Sequence, residues 1–243
     1  MSHQPAAPPR AAAVVLAAGD GTRIGGAHNK VFLHLAGRRV VSWSLQALAQ
    51  VRSIERFVMV IREPDRELAE ETIDRDLEGI DVEVVLGGNS RHQSELFALR
   101  HLAVAIASSL DVVLVHDGAR PLLSPELVQT LITTAAECGA AIPGLETDEI
   151  RRVRPDGTLD LRPPEVMIRA QTPQAFDART VLNAYERADI DRFVGTDTAS
   201  CVEEYSDTRI QVVAGNPANI KITYPQDLFD AATILEDRNF HLD

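Results

Sequence analysis

The residues of this sequence that are best suited to chemistry lie near its start, where glycines are followed by two cations. Residues 14–33 read VVLAAGDGTRIGGAHNKVFL. Glycine permits tight turns and lets the backbone approach a ligand closely, and turns of this kind commonly hold phosphate groups. Arg23 and Lys30 can neutralise such an anion. The pattern favours a phosphate or nucleotide site; the alternative is a surface turn beside two solvated cations.

Two familiar glycine motifs do not fit this stretch. A dinucleotide-binding fingerprint needs a third glycine where Ile24 stands. A P-loop ends in Gly-Lys-Ser or Gly-Lys-Thr, and neither tripeptide occurs here. What remains is the pattern A-A-G-x-G-x-R, with a lysine seven residues beyond the arginine.

The overall composition is typical of a globular protein. The 243 residues suffice for one large α/β domain or two small ones, and 45% of them are hydrophobic. The formal net charge of -12 argues against a nucleic-acid binder, which would carry a basic face. A local basic pocket is compatible with this charge, and its candidates are Arg23, Lys30, Arg91, Arg120 and Lys221.

The sequence further predicts a cytoplasmic protein that does not enter membranes. Residues 1–12 lack the apolar core of a secretory signal and are predicted to form a disordered tail. No apolar run is as long as a membrane span. Cys138 and Cys201 form no CxxC pair and stand in no metal-ligand pattern, so we expect free thiols in a reducing compartment.

Strand-like and helical patterns alternate along most of the chain. The patterns predict strands at 11–16, 57–61, 82–86, 112–115, 140–142, 210–213 and 219–223, and helices at 40–51, 64–77, 91–107, 124–138, 177–188, 196–205 and 225–235. Such alternation is typical of a three-layer α/β fold with a mostly parallel sheet. Ligands of these folds bind where the strands end.

Three loops at predicted strand ends are rich in glycine and polar residues. They read AAGDGTR, GGNSR and HDGAR. Because the carboxyl ends of parallel strands meet at one edge of the sheet, these loops are expected to converge there. This convergence is the main argument from the residues alone for a nucleotide or phosphate site.

The middle of the chain interrupts the alternation. Residues 144–170 are charged and hold two short strand-like pieces, 150–153 and 158–161, around a Pro-Asp-Gly turn. We expect a projecting β-arm, or alternatively a flexible excursion. No linker divides the sequence, so residues 13–243 are predicted to form a single domain with this arm.

Six stretches together resemble one protein family. They are AAGDGTR with Lys30, GGNSRHQS, LVHDGARP, QTPQAF, TDTAS and NIKITYPQDL. In order and spacing they resemble the methylerythritol phosphate cytidylyltransferases and the related ribitol phosphate cytidylyltransferases, over about residues 13–235. The resemblance implies a Rossmann-like nucleotidyltransferase fold. It also implies transfer of a cytidylyl group from CTP to a polyol phosphate, with Mg²⁺ as cofactor and pyrophosphate as product.

The resemblance also implies roles for individual residues. Arg23, Lys30 and Lys221 would be catalytic, with Lys221 positioning the incoming phosphate. The nucleotide would be bound by Ala17, Ala18, Gly19, Gly21, Gly88, Arg91, Ser94 and Ala119. The acceptor would be bound by Asp117, Arg120, Thr172, Arg162 and Arg169, and Asp117 would also face the metal.

Several of these residues also have a purely structural interpretation. Asp117 could end a strand, Ser94 could be an ordinary early-helix residue, and Arg120 could hold its own loop. Lys221 could be a solvated cation at a strand end. Thr196 and Asp197 are expected to cap a helix, and His28, His92 and His101 are expected on the surface.

The arm departs from the family pattern at two positions. Glu149 stands where the resemblance leads one to expect a threonine, and Pro164 where it leads one to expect an arginine. Arg162 or Arg169 would then replace that arginine. The acceptor is therefore methylerythritol phosphate or, alternatively, ribitol phosphate or another polyol or sugar phosphate. A nucleotide-binding protein without turnover is the alternative from another class. By resemblance, the arm would join two subunits in a homodimer.

Overall fold

The main sheet has eight strands among the described residues, seven of them side by side in one order and the eighth paired with one of these. The computed structural model describes residues 7–19, 29–148, 154–158 and 166–240. Within these residues the strands are β1 (Ala11–Leu16), β2 (His34–Leu35), β3 (Arg38–Arg39), β4 (Ile54–Ile61), β5 (Val82–Leu86), β6 (Val112–Asp117), β7 (Ala140–Glu146), β8 (Ile168–Ala170), β9 (Gln174–Asp177) and β10 (Ile210–Ala214). The sheet order is β10-β7-β9-β6-β1-β4-β5, and β8 pairs with β7.

The centre of the sheet is parallel and buried on both faces. β1 pairs in parallel with β4 and β6, so that Val14 lies opposite Val58 on one side and Val115 on the other. β1 is built of alanine, valine and leucine, as expected for a strand covered on both sides. β9 runs antiparallel to β6 and β7, between which it lies.

Helices cover both faces of the sheet, so the fold has three layers. They are α1 (Val40–Ala49), α2 (Arg66–Asp76), α3 (Arg91–His101), α4 (Ala103–Ser108), α5 (Pro125–Cys138), α6 (Ala178–Asp191), α7 (Thr198–Tyr205) and α8 (Pro225–Phe240). α1, α2 and α5 share one apolar core with one face of the sheet, while α3, α4, α6 and α7 share another with the opposite face. The predicted three-layer α/β class is confirmed.

Side-chain caps place the starts of the helices where the sequence predicted them. The Ser124 side chain accepts a hydrogen bond from the Leu127 N–H at the start of α5. Asp197 caps α7 and forms a capping box with Ser200. Because a cap satisfies backbone donors that the helix leaves unpaired, these short polar residues fix where each helix begins.

Several boundaries differ from the prediction. The predicted tail (1–12) and the predicted strand (11–16) overlap at Ala11 and Ala12, and both residues belong to the strand, fully buried in β1. The helix predicted over 91–107 is two helices that meet at Leu102. The segment 219–223 forms no strand; it is attached to the Asp117 loop by a hydrogen bond from the Ile222 N–H to the Ala119 carbonyl (2.8 Å).

The two ends of the predicted arm belong to the main sheet. β8 pairs with β7, with Gly144 opposite Ala170, and the Thr147 N–H donates to the Met167 carbonyl at 2.9 Å. The predicted turn is present, because Gly157 has a φ of 84° and its N–H donates to Arg154. The strand pieces predicted at 150–153 and 158–161 lie outside the described residues, except for Thr158.

No helix among the described residues is both long and apolar enough to cross a membrane. Both cysteines are free thiols, Cys138 exposed and Cys201 buried. The expected cytoplasmic location stays a prediction.

Candidate active site

A cavity of about 620 Å³ opens where β1, β4, β5 and β6 end. Its described lining is Leu16, Ala18, Gly19, Asn29, Lys30, Val31, Arg62, Glu63, Gly87, Gly88, Asn89, Ser90, Arg91, Ser94, Asp117, Ala119 and Lys221. The described parts of the three predicted loops therefore converge at one edge of the sheet, as the sequence indicated. The parallel topology causes this convergence.

Asp117 is the last residue of β6 and the centre of the charged groups in the cavity. Its Oδ2 lies 2.7 Å from the Lys221 Nζ and 3.8 Å from the Arg120 Nε. Its Oδ1 lies 3.4 Å from the Arg91 Nη2. One carboxylate thus faces three cations from three different parts of the chain.

These cations decide the protonation of Asp117. Burial alone would raise the pKa of this carboxyl, but Lys221, Arg91 and Arg120 together bring it well below its usual range. The side chain is therefore a carboxylate at any physiological pH. The three cations outnumber Asp117 and the buried Glu95, which also pairs with Arg91, and this positive excess suits a polyanionic ligand such as a triphosphate.

A buried hydrogen-bonded chain holds Asp117 from behind. Its N–H donates to the Thr172 Oγ1 at 3.0 Å, and that hydroxyl lies 3.1 Å from the His116 Nδ1. The His116 Nε2 lies 3.2 Å from the Arg120 carbonyl, which can only accept, so the proton resides on Nε2 and the Thr172 hydroxyl donates to Nδ1. Burial lowers the pKa of His116 to about 4, so the ring is neutral.

Lys221 is brought to Asp117 by anchors on both sides of it: the Ile222 N–H bond to the Ala119 carbonyl on one side, and two hydrogen bonds of Asn219 on the other. The Arg120 Nη1 donates to the Asn219 carbonyl at 2.8 Å, and the Asn219 Nδ2 donates to the Thr172 carbonyl at 2.9 Å. The Arg120 side chain therefore does bond a backbone carbonyl, but that of the distant Asn219 and not one of its own loop. It also contributes charge next to Asp117, and the two roles are compatible.

The glycine loop after β5 packs tightly against the first loop. A Cβ at Gly87 would lie 2.7 Å from the Ser94 Oγ and 2.8 Å from the Ala18 Cβ, closer than real Cβ atoms come. The Ser94 Oγ accepts from the Gly88 N–H at 3.1 Å and donates to the Ser90 carbonyl at 2.9 Å. Ser94 thus lines the cavity and also holds this loop in place by hydrogen bonds.

Asn29 closes the other end of the first loop. It is buried, and its Nδ2 donates to the Ala17 carbonyl and lies 3.4 Å from the Asp65 Oδ2. Asp65 accepts in turn from the Arg62 Nε at 2.7 Å. Lys30 follows Asn29 directly and begins a short 3₁₀ helix, Lys30–Phe32, that faces the cavity.

The structure brings most of the predicted site residues together. Those lining the cavity are Ala18, Gly19, Lys30, Gly88, Arg91, Ser94, Asp117, Ala119 and Lys221. Arg23, Gly21 and Arg162 lie outside the described residues, as do Glu149 and Pro164. The functional roles assigned to all of these residues stay predictions.

Four predicted residues do not line the cavity, and one of them, Arg120, lies beside Asp117 as described above. The Ala17 side chain lies in the core, its N–H donates to the Val60 carbonyl at 2.7 Å, and its carbonyl accepts from Asn29. The Thr172 hydroxyl forms hydrogen bonds with the Asp117 N–H and with His116, so it is not directed into the cavity. Arg169 is exposed on β8, close enough to Arg120 to lower the pKa of that guanidinium, although burial lowers it more.

The sequence interpretation missed several residues and misplaced one. Arg62 and Glu63 line the cavity, and their position directly after β4 is the signal that could have found them. Asn29 gave no such signal, because its role depends on the distant Asp65. His92 was expected on the surface but is only 7% exposed, stacked on Tyr185 with ring centroids 4.5 Å apart. His101 is exposed as predicted.

The fold and the cavity together define a class of protein. A doubly covered parallel sheet, glycine loops at the strand ends and a basic cluster around one carboxylate are the features of an α/β nucleotide-binding protein. The comparisons with known proteins narrow this class. Residues 11–237 match the model of the family described as IspD, 2-C-methyl-D-erythritol 4-phosphate cytidylyltransferase.

Relatives of known name agree with this match. The chain is 36% identical over 236 residues to the 2-C-methyl-D-erythritol 4-phosphate cytidylyltransferase of Acidobacterium capsulatum, covering 93% of this chain and 97% of the relative. It is 34% identical over 226 residues to the protein of the same name from Halalkalibacterium halodurans, covering 93% and 96%. The chain belongs to the 2-C-methyl-D-erythritol 4-phosphate cytidylyltransferase family of nucleotidyltransferases.

Solved structures show the same fold. The 4-diphosphocytidyl-2C-methyl-D-erythritol synthase of Anaerococcus prevotii superposes with a TM-score of 0.82 at 27% identity, covering 94% of this chain and 97% of that one. The 2-C-methyl-D-erythritol 4-phosphate cytidylyltransferase of Thermus thermophilus superposes with a TM-score of 0.71 at 27% identity, covering 91% and 97%. The predicted family and the predicted Rossmann-like nucleotidyltransferase fold are confirmed.

Proposed function

We propose that this protein transfers the cytidylyl group of CTP to 2-C-methyl-D-erythritol 4-phosphate, an isoprenoid precursor, and releases pyrophosphate. The observation that carries the proposal is the Asp117 cluster, which places Arg91 and Lys221 at a glycine-lined cavity and Arg120 directly beside Asp117. The family match supports both substrates.

The reaction is an in-line displacement at the α-phosphorus of CTP. An oxygen of the acceptor phosphate forms the new bond to this phosphorus, and the bond to the oxygen bridging to the β-phosphate breaks. Pyrophosphate leaves with the electron pair. Such a transfer depends on positioning and on neutralising charge rather than on covalent help from the protein.

The basic side chains supply that neutralisation. Lys30 and Arg91 line the cavity on the side of the glycine loops, where the triphosphate is held. Lys221 is 43% exposed on the same cavity, so its ammonium can bind an acceptor phosphate while it stays near Asp117. Arg23 is assigned to the triphosphate by the sequence pattern.

Asp117 suits a magnesium ion that arrives with the nucleotide. Among the described residues, no three acidic, histidine or cysteine side chains gather as a metal cage. Mg²⁺ does not need one, since it keeps several waters and binds one or two carboxylates together with substrate phosphates. A permanently ionised carboxylate at the cavity wall fits this requirement. Mg²⁺ would neutralise charge on the triphosphate.

The arm is proposed to carry the acceptor specificity and to join two subunits. Arg169 is exposed on β8 at the root of the arm and influences Arg120, so it is the described candidate for a second contact with the acceptor. Arg162 is the other candidate. A dimeric mass by light scattering at micromolar concentration is expected; a monomer would contradict the dimer.

The function is tested by pyrophosphate release from CTP and Mg²⁺. The panel of acceptors should contain methylerythritol phosphate, ribitol phosphate and several pentitol and sugar phosphates. Release with methylerythritol phosphate is the expected result. Release only with another acceptor would overturn the proposed acceptor while keeping the reaction. CTP binding without release from any acceptor would favour a binding protein without turnover.

A further inference from the structure

Arg91 makes a second ion pair, away from the cavity. Its Nη1 lies 2.6 Å from the Oε1 of Glu95, one helical turn further along α3, while its Nη2 lies 3.4 Å from Asp117. Glu95 is only 1% exposed and does not line the cavity. The guanidinium thus joins a buried carboxylate to the cavity carboxylate.

Glu95 is itself fixed by two other helices. The Thr198 Oγ1 donates to its Oε1 at 2.9 Å from the first turn of α7, and the Tyr185 hydroxyl donates to its Oε2 from α6. Tyr185 is fully buried, and His92 stacks on its ring at an interplanar angle of 19°. The carboxylate therefore has little freedom to move.

Packing alone does not account for an acidic residue here. Burial raises the pKa of Glu95, and the Arg91 cation with the two hydroxyl donors limits that rise. A buried ion pair is commonly no more stabilising than apolar side chains of the same size. What the carboxylate adds over an apolar residue is a fixed anchor for one end of the guanidinium.

We propose that Glu95 is a positioning residue that holds Arg91 ready for the nucleotide. The Nη1 contact with Glu95 is an attraction between charges without hydrogen-bond geometry. With Nη1 held towards the buried carboxylate in this way, Nη2 lies towards Asp117 and the cavity before the ligand arrives. An arginine that is ordered in advance loses less conformational freedom on binding, which strengthens the binding. The inference rests on the proposed function only in taking CTP as the nucleotide.

The first variant is Glu95→Gln, which keeps the size of the side chain and can still accept and donate hydrogen bonds to Thr198 and Tyr185. It lacks only the charge that fixes Arg91. The dissociation constant and the KM for CTP are expected to rise about 10-fold, with kcat and the KM for the acceptor nearly unchanged. CTP binding is measured by calorimetry without acceptor, so this readout does not depend on turnover.

The second measurement is a double-mutant cycle with Arg91→Ala. If Glu95 acts through Arg91, Glu95→Gln changes CTP binding in the wild type and has no further effect in the Arg91→Ala background. A merely structural role would give the same loss in both backgrounds, or a lower Tm with unchanged CTP binding. Either result would overturn the proposal.

Glu186→Gln is the matched control. Glu186 is a half-buried residue of α6 that forms an ion pair with Arg100 of α3 at 2.7 Å, and neither residue lines the cavity. The Glu186→Gln change removes the same charge from the same pair of helices and should leave CTP binding unchanged.

If Glu95→Gln does not fold, Thr198→Ala is the second variant, because it removes one hydrogen bond to Glu95 while keeping the charge of Glu95. It should weaken CTP binding about 3-fold; unchanged binding would count against the proposal. A wild-type protein that binds no CTP would refute the proposed function instead.

Discussion

Asp117 and Glu95 share one arginine, yet their environments separate the two carboxylates. Asp117 has three cations and lies at the cavity wall, and its pKa falls well below the usual range. Glu95 has one cation and two hydroxyl donors in the interior, and burial raises its pKa. The number of cations therefore decides the outcome where burial acts on both. Asp117 suits a charged reaction site, and Glu95 suits an anchor.

The largest effect is expected from Asp117→Asn. The change keeps the size of the side chain but leaves three cations without their carboxylate and removes an oxygen proposed to bind the metal. We expect kcat to fall about 10³-fold, whereas the matched change at Glu95 leaves kcat nearly intact. Steady-state kinetics of both variants check this contrast. Equal losses of kcat in the two variants would contradict the assignment of Asp117 to the reaction site and of Glu95 to positioning.

The next effect is expected from Lys221→Gln. It removes the cation 2.7 Å from Asp117 and the group proposed to hold the acceptor phosphate. We expect kcat/KM for the acceptor to fall about 100-fold, with CTP binding little changed. Acceptor and CTP titrations separate the two parameters. A loss confined to CTP binding would move Lys221 to the nucleotide side.

His116, which lies behind Asp117, is expected to make the free energy of unfolding depend on pH. His116 stays neutral in the folded protein down to a pKa of about 4, while in the unfolded chain it takes up a proton near its ordinary value of 6.5. Protons therefore favour the unfolded state as the pH falls from 6.5 towards 4, and stability is lost. Between pH 7 and pH 5 the loss is about 2 kcal/mol.

Denaturant unfolding of wild type and His116→Gln at both pH values measures this term. The variant has lower stability at pH 7, because the contact with Thr172 changes, but should lose less between pH 7 and pH 5. Other groups, including Glu95 and His92, cancel in the comparison. Identical losses in the two proteins would show that His116 does not carry the dependence.

The smallest effect is expected from Gly118→Ala. A Cβ at this position would lie 2.9 Å from the Leu16 carbonyl oxygen and 3.3 Å from the Val15 and Val41 side chains. We expect a loss of about 1 kcal/mol in the free energy of unfolding and little change in kcat, because the Asp117 side chain points elsewhere. Chemical denaturation together with a kinetic assay checks both statements. A large fall in kcat would mean that the turn after Asp117 is set by this glycine.

Much of the fold followed from local patterns. The apolar runs of β1, β5 and β6, and the caps at Ser124 and Asp197, depend on neighbours only a few residues away. The antiparallel β9 gave no comparable signal, because its pairing with β6 joins segments about sixty residues apart. The segment around Lys221 is predicted as a strand but forms none, since an isolated apolar alternation does not reveal whether a partner strand exists.

The sequence by itself determined the α/β class, the three glycine-containing loops and the family, because these rest on periodicity and on short motifs. Only the tertiary structure decided which polar residues are buried. Glu95 meets Tyr185 and Thr198 across 90 and 103 residues of chain, and Lys221 meets Asp117 across 104. A charged residue can be buried only where such partners compensate its lost hydration. That compensation is a property of the folded chain, so it cannot be read from any one stretch of it.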